Sequence, residues 1–250
     1  MRREGRWVLT GVKTAVPAAP WADLFLVPAA SPDGVLVFLV PPSEVTVQPQ
    51  QLTDLAEAGR VVLDGATLDD DQVLGPGREV ADWLVARGTV GLCALQSGVI
   101  ERALELTAEY ARSREQFGRP IGSFQAVAQR LADAYIDAEA VRLTMWQAAW
   151  RLAAGQPGGA GTETAAAVAT AKFWAADAGH RVAHTAVHVH GGLGIDMSYP
   201  VHRYFTAAKH NEFALGGATA QLRRIGAALA RGGLGGGGVA GGEAGHPILP

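Results

Sequence analysis

Four histidines near the C-terminal third of the chain have a spacing that could bind a metal ion. His180, His184 and His188 lie at positions i, i+4 and i+8, and His190 follows. Two histidines one helical turn apart can share a zinc ion. No cysteine lies close to them in sequence, so a polar stripe on a helix is the favoured interpretation. We therefore predict no metal site.

A second set of reactive side chains lies in residues 110–121, which read YARSREQFGRPI. Cations near the end of a helix stabilise the negative end of its dipole. Gly118 and Pro120 are expected to end the helix, because glycine and proline interrupt helical hydrogen bonding. Taken alone, this segment is typical of an ordinary helix end.

Composition excludes several classes of protein. The chain has 250 residues, 48% of them hydrophobic, which allows one large or two small domains with a substantial core. The formal net charge of -3 is unlike that of a nucleic-acid binder. The single cysteine, Cys93, excludes an intrachain disulfide framework and favours a reducing compartment, so we expect a cytoplasmic protein. No apolar run reaches the roughly 18 residues of a membrane span, and none is predicted.

Residues 1–77 have the pattern of antiparallel β structure. Short apolar or β-branched runs occupy residues 7–10, 24–27, 35–40 and 61–63, and glycines and prolines separate them. Nothing helical lies between these runs, which argues against parallel βαβ units. We predict a partial antiparallel β domain.

Residues 78–231 have the pattern of an antiparallel bundle of long α-helices. Apolar residues recur at helical spacing from about Val80 up to Gly118, and again from Ser123, the expected cap of a second helix. A third helix, capped by Thr162 or Thr164, is expected to run towards Val189. Shorter helices should follow residues 200 and 217. The fold class is therefore α+β, and the glycine-rich residues 232–250 are predicted to be a disordered tail.

The motifs of this helical part resemble the C-terminal helical domain of the flavin-dependent acyl-CoA dehydrogenases. That family has an R-x-x-F-G motif after its first long helix and a glutamine at the start of the next. A Q/H-x-x-G-G-x-G turn and a Y-P-x-x-R/K motif come later. The matching segments here are residues 114–118, Gln125, residues 188–194 and residues 199–203.

The resemblance implies that FAD binds across a subunit interface. Arg114 would contact the pyrophosphate, because a guanidinium pairs well with a dianionic group. The other residues implied in FAD binding are Gln116, Phe117, Gln125, His188, Gly191, Gly192 and Thr219. For the glycines, a plain helix stop followed by a loop is the alternative.

The catalytic base of the family has no counterpart at its usual positions. Most members place a glutamate where this chain has Gly216, and a minority use the position of Gly88-Thr89. Glu212 is a weak candidate for a displaced base. The family's tryptophan-containing segment against the flavin aligns with Ala15-Val16-Pro17. The N-terminal helical domain of ordinary members is expected to be missing.

These features predict an oxidoreductase subunit that contributes part of an FAD site to the α,β-desaturation of an acyl-CoA thioester, in lipid metabolism. The expected partner is a homologous full-length acyl-CoA dehydrogenase subunit, or a second copy, in a dimer or tetramer. The isolated chain is expected to be inactive, so its standing as an enzyme is left open. The alternatives are a flavin-free structural subunit and a truncated fragment of a full-length enzyme.

Overall fold

The computed structural model describes residues 2–3, 5–32, 34–75, 77–154 and 161–230. The tail predicted for residues 232–250 lies outside the described residues. Six strands come first: β1 (Arg2–Arg3), β2 (Arg6–Pro17), β3 (Phe25–Ser31), β4 (Gly34–Val40), β5 (Thr46–Gln51) and β6 (Glu57–Leu68). A helix, a small hairpin and four further helices follow: α1 (Arg78–Ser113), β7 (Glu115–Gln116), β8 (Arg119–Pro120), α2 (Gln125–Ala154), α3 (Thr162–His190), α4 (Val201–Phe213) and α5 (Ala218–Ala230).

The six N-terminal strands form two antiparallel sheets around one apolar core. The first sheet has the order β1-β2-β6-β5, and β3 pairs with β4 in the second. Trp7 packs edge-on against Phe38, with 5.5 Å between the ring centroids. The four apolar runs of the sequence coincide with these strands, except for Leu24, which directly precedes β3. The polar strand β5 was not predicted, because at an edge position it buries too little apolar surface to leave a sequence pattern.

The bundle is built on α1, α2 and α3, which pack through small residues. α3 buries many alanines, including Ala171, Ala175 and Ala178, so that neighbouring backbones approach closely. Two predicted caps are wrong. The Ser123 hydroxyl donates to Pro120 O at 2.7 Å and does not cap α2. Thr162 is the first residue of α3, where the cap position belongs to Gly161.

The predicted α+β class is confirmed by this arrangement of antiparallel sheets and long helices. The first long helix ends at Ser113, earlier than predicted, because residues 115–120 turn back as a hairpin. The division into domains at residue 77 stays a prediction.

By length and composition alone, α1 is apolar enough to cross a membrane, with a mean hydropathy of 1.3 over its most apolar 18-residue window. Core helices of water-soluble proteins meet the same criterion, so the expected absence of a membrane span also stays a prediction.

Candidate cofactor and catalytic sites

A cavity of about 1010 Å³ separates the β part from the first half of α1 and from α4. Its walls are mostly apolar. The lining residues are Ala15, Pro17, Leu52 and Thr53 from the β part, Gly88, Gly91, Leu92 and Leu95 from α1, and Phe205, Lys209, His210, Phe213, Ala214 and Leu215 from α4 and the following loop. No carboxylate belongs to this lining.

The two positions at which the resembled family carries its base lie beside this cavity. A Cβ atom built on Gly88 would lie 3.7 Å from Leu215 Cδ1, the neighbour of Gly216. Gly216 itself has a φ of 97°, and a Cβ there would approach Gln221 Nε2 at 3.1 Å. The base positions therefore converge in space, and neither carries a proton acceptor.

Glu212, the weak candidate for a displaced base, is held in an ion cluster. Its Oε2 accepts a hydrogen bond from Lys209 Nζ at 2.5 Å and lies 3.1 Å from His180 Nδ1. Burial alone would raise the pKa of this carboxyl. The contacts with Lys209 and His180 outweigh burial, so the Glu212 pKa lies below its ordinary value. A carboxylate stabilised in this way is a weaker proton acceptor.

Two buried side chains from other helices hold the loop that leads past the cavity. Lys172 on α3 is fully buried, and its Nζ donates to Asn211 O at 3.0 Å and to Glu212 O at 3.1 Å. Burial lowers the Lys172 pKa. Gln221 on α5 donates to Leu215 O at 3.2 Å and to Gly216 O at 2.9 Å. The Lys172 bonds satisfy carbonyls that the end of α4 leaves without a helical partner, and the Gln221 bonds satisfy carbonyls of the loop that follows.

At the other end of the bundle, the predicted pyrophosphate residue lies where α1 meets the small hairpin. Arg114 is the residue directly after α1; its side chain is exposed and has no ion pair or hydrogen bond with the described residues. Phe117 at the hairpin tip has a φ of 54° and is 93% exposed. Such a conformation is uncommon for a bulky residue. Gln116 and Gln125 are exposed nearby in the chain, on β7 and at the start of α2.

The glycine turn after α3 lies at this same end. Gly191 has a φ of 61° and ψ of -137°, and nothing lies within 4 Å of a Cβ built on Gly191 or Gly192. His188 is exposed one turn earlier. The ring of His190 stacks on Tyr110 of α1, with centroids 4.4 Å apart. The structure therefore places the ends of α1 and α3 side by side.

Thr219 is not brought together with the other predicted FAD residues. It lies in the first turn of α5, directly after the loop that lines the cavity. Gly88 at the cavity and Tyr110 at the glycine turn are 22 residues apart on α1 (110 − 88). At a rise of about 1.5 Å per residue, roughly 33 Å separates the two ends.

The histidines do not converge on one point. His180 contacts Lys209 and Glu212, and its ring lies 4.2 Å from that of His184. His190 lies at the glycine turn. Within the part of the chain that the structure describes, no group of three or more histidine, cysteine or acidic side chains is placed to hold a metal ion.

Comparison with family models identifies the helical part. Residues 75–230 match the model of the acyl-CoA dehydrogenase C-terminal domain. The chain belongs to the acyl-CoA dehydrogenase family. The predicted family is thus confirmed, and so is FAD as its cofactor, since acyl-CoA dehydrogenases are FAD-dependent flavoproteins.

Two of the similar acyl-CoA dehydrogenases come from Mycobacterium tuberculosis. FadE27 is 56% identical over 226 residues, covering 89% of this chain and 60% of FadE27. FadE28 is 30% identical over 220 residues, covering 88% of this chain and 62% of FadE28. This acyl-CoA dehydrogenase chain therefore spans less than two thirds of the length of these relatives.

Solved acyl-CoA dehydrogenase structures have the same fold. A chain of the ChsE4-ChsE5 complex from M. tuberculosis superposes with a TM-score of 0.84 at 56% identity, covering 89% of this chain and 60% of that one. A steroid ACAD (acyl-CoA dehydrogenase) variant, Tcur3481-Tcur3483, gives a TM-score of 0.85 at 39% identity, covering 92% and 62%. Butyryl-CoA dehydrogenase from Megasphaera elsdenii superposes with a TM-score of 0.83 at 27% identity, and the match covers 92% of this chain and 62% of that one.

Sequence reasoning missed the buried polar residues that hold this acyl-CoA dehydrogenase site together. Lys172 and Gln221 were not singled out, although a lone lysine within the alanine-rich α3 is a signal that could have drawn attention. His190 was considered only as a metal ligand.

Proposed function

We propose that this chain is one subunit of a heteromeric acyl-CoA dehydrogenase and contributes part of an FAD site to the α,β-desaturation of an acyl-CoA thioester. A full-length homologous subunit supplies the catalytic base. Two observations together carry the proposal. One end of the bundle keeps Arg114 and the Gly191-Gly192 turn, and the described residues that line the cavity at the other end include no carboxylate.

The side chains at the glycine end suit the pyrophosphate of FAD. The Arg114 guanidinium has no competing carboxylate among the described residues, so it is free to donate to a dianion. The space beside Gly191 and Gly192 is open, which lets a ligand approach the backbone. Phe117, at the tip of the hairpin that follows Arg114, offers an exposed aromatic face. His188, Gln116 and Gln125 complete the set.

The separation of the two ends supports an FAD site shared between subunits. Thr219 and the cavity lie roughly 33 Å along α1 from the Arg114 end, a gap set by the helical rise. Arg114 of this chain would therefore hold the pyrophosphate of an FAD whose flavin ring lies in the cavity of the partner. When bound, the FAD supplies an acceptor for the hydride that leaves the acyl β-carbon.

Loss of the base supports a division of labour between unlike subunits. Proton abstraction from the α-carbon needs an acceptor within hydrogen-bonding distance. Gly88 and Gly216 offer none, and Glu212 is held by Lys209 and His180. The likeness to a chain of the ChsE4-ChsE5 complex, which contains two named components, agrees with such an assembly.

The flavin content of the assembled protein tests the proposal. We would co-express the chain with each homologous full-length subunit encoded nearby, purify the complex, and measure flavin absorbance per chain. We expect the complex to be yellow. We expect the isolated chain, purified without its partner, to retain no flavin. A stable complex that stays colourless after incubation with FAD would favour the structural subunit. Family sequence in frame upstream of Met1 in the gene would favour the truncated fragment.

The likeness to a steroid ACAD also supports a bulky acyl group as the substrate class. Steroid-type acyl-CoA thioesters and straight-chain thioesters would be compared in dye-coupled assays of the complex. Faster turnover of the straight-chain thioesters would contradict this part of the proposal while leaving the shared FAD site intact.

A further inference from the structure

His190 is a buried histidine with one ring nitrogen committed and the other without a partner. It is 4% exposed and is the last residue of α3. Its Nδ1 lies 2.8 Å from Ala186 O, and because a carbonyl only accepts, Nδ1 carries the proton. Nε2 is then an acceptor, and among the described residues it has no hydrogen-bond partner. Leaving a buried polar atom unpaired is costly, so the ring is expected to have a use.

The ring lies between two aromatic side chains. It stacks on Tyr110 at 4.4 Å with an interplanar angle of 23°, and Tyr199 lies 5.3 Å away on another side. Nδ1 donates to Ala186 O within α3, and the aromatic contacts with Tyr110 and Tyr199 hold the plane of the ring between the two helices.

This stack joins the two segments that carry the pyrophosphate residues. The backbone N–H of Arg114 donates to Tyr110 O at 2.8 Å, so Arg114 follows Tyr110 by one helical turn. On the other side, Gly191 follows His190 directly, and its N–H donates to His188 O. The contact between Tyr110 and His190 therefore lies within one helical turn of Arg114 and directly beside Gly191.

The turn after His190 is folded tightly against α3. A Cβ built on Gly194 would lie 2.8 Å from Val187 Cα and 3.3 Å from His190 Cβ. The turn that contains Gly191 and Gly192 is therefore anchored to the last turn of α3 at both of its ends, by His190 before it and by Gly194 after it.

We propose that His190 is a positioning residue that sets the distance between Arg114 and the Gly191-Gly192 turn, so that both can engage one pyrophosphate. This inference rests on the proposed shared FAD site. A pyrophosphate that contacts both Arg114 and the glycine turn binds more tightly when the distance between them is already correct. Free energy spent on changing that distance during binding would lower the affinity. The stack fixes this spacing from inside the bundle, without contact between His190 and the cofactor.

FAD affinity of the reconstituted complex tests the proposal. We would titrate FAD into the apo-complex, follow flavin fluorescence, and record hydrogen exchange of residues 188–194 without cofactor. His190→Ala removes the ring, and His190→Phe keeps the stack while removing both nitrogens. Val182→Ala, a buried truncation on α3 two turns earlier, is the control for general destabilisation.

His190→Ala is expected to raise the Kd for FAD roughly 2- to 10-fold, the range that an aromatic pair contributes. It should also speed exchange at residues 188–194. His190→Phe should stay within about twofold of the wild type, since the stack persists. Val182→Ala should lower Tm without changing the Kd. Adding Tyr110→Ala to His190→Ala should weaken binding little further, because both remove the same contact.

Three outcomes would overturn the inference. An unchanged Kd in His190→Ala would show that the stack does not set the spacing. Equal weakening in His190→Phe and His190→Ala would assign the effect to the ring nitrogens, and weakening in Val182→Ala would assign it to general stability. A wild-type complex that binds no FAD would overturn the proposed function and the positioning role together, and this result is distinguishable from the other three.

Discussion

Gly88 on α1 and Leu215 after α4 lie next to each other in the cavity wall, with Leu215 Cδ1 3.7 Å from the place of a Gly88 Cβ. The family positions its base on these two segments. In this chain Leu215 contributes an apolar side chain to this contact and Gly88 contributes none. Lys209 and His210 are the ionisable residues of the lining, and neither is a carboxylate. This relationship bears on the role of Glu212 in catalysis and on the stability of glutamate at the two family base positions.

The first prediction concerns Glu212, the weak candidate for a displaced base. Glu212→Gln in the complex should leave desaturation of acyl-CoA thioesters almost unchanged, and the isolated wild-type chain should show no turnover. Loss of a general base typically costs about 10²–10⁴ in rate, so the assay separates the two cases. Glu109→Gln, an exposed change of the same charge, is the control. A large loss in Glu212→Gln with flavin retained would make Glu212 the base.

The second prediction compares glutamate at the two family base positions. Gly88 has helical backbone, and a Cβ there would make an ordinary van der Waals contact with Leu215 Cδ1, so Gly88→Glu should keep or slightly raise Tm, because glycine is a poor helix former. Gly216 has a φ of 97°, and Gly216→Glu should cost about 1–3 kcal/mol in strain and lower Tm. Thermal unfolding of both variants checks this order. Equal Tm values would show that the loop relaxes freely.

The third prediction concerns Arg114. Arg114→Ala should weaken FAD binding by the complex roughly tenfold to a hundredfold, since a charge-assisted hydrogen bond contributes about 1.5–3 kcal/mol. Equilibrium dialysis followed by flavin absorbance measures the loss. Arg112→Ala removes the same charge from the last turn of α1 and should have a much smaller effect. Full flavin content in Arg114→Ala after extensive dialysis would refute the assignment.

The fourth prediction is that the chain is not a stable monomer. The outer face of α2 exposes Leu143 by 58%, Trp146 by 61% and Trp150 by 67%. Large exposed apolar groups on one helix face mark contact surfaces. Sedimentation of the isolated chain should show self-association, or the chain should stay folded only in complex with its partner. The double variant Trp146→Gln, Trp150→Gln should shift the distribution of sedimentation coefficients to smaller species. Trp21→Gln, at an exposed site on the β part, is the control. A clean monomer with cooperative unfolding at micromolar concentration would contradict the prediction.

The fifth prediction concerns pH. Burial lowers the His190 pKa below its ordinary value of 6.5, although the bond to Ala186 opposes the shift. The folded state therefore favours the neutral ring, and its stability is present above pH 6.5 and lost as pH falls through the folded pKa. His190→Phe should flatten the decline in the free energy of unfolding below pH 6.5. The His184 pKa is also lowered, but His184 remains in both proteins, so their difference reports His190. Parallel pH profiles would contradict the prediction.

The sequence by itself determined the order of β and helical parts and the place of most helix ends. Apolar spacing is a local property, so it can be read without knowledge of the fold, whereas the end of the first helix at Ser113 was placed too late, at Gly118. Family motifs also located Arg114, the glycine turn and the missing base. They could not show that Thr219 lies at the opposite end of the bundle from Arg114, because that distance depends on how α4 turns back.

Only the tertiary structure decided which polar groups are held and which are free. Lys172 reaches carbonyls at the end of α4 from a helix remote in sequence, Gln221 binds carbonyls of the loop just before its own helix, and Tyr110 meets His190 across two helices. The periodicity of the sequence does not predict such contacts, because a single buried polar side chain does not change the spacing of the apolar residues around it. The edge strand β5 escaped for a related reason: its backbone pairing with β6, rather than its side chains, holds it in the sheet.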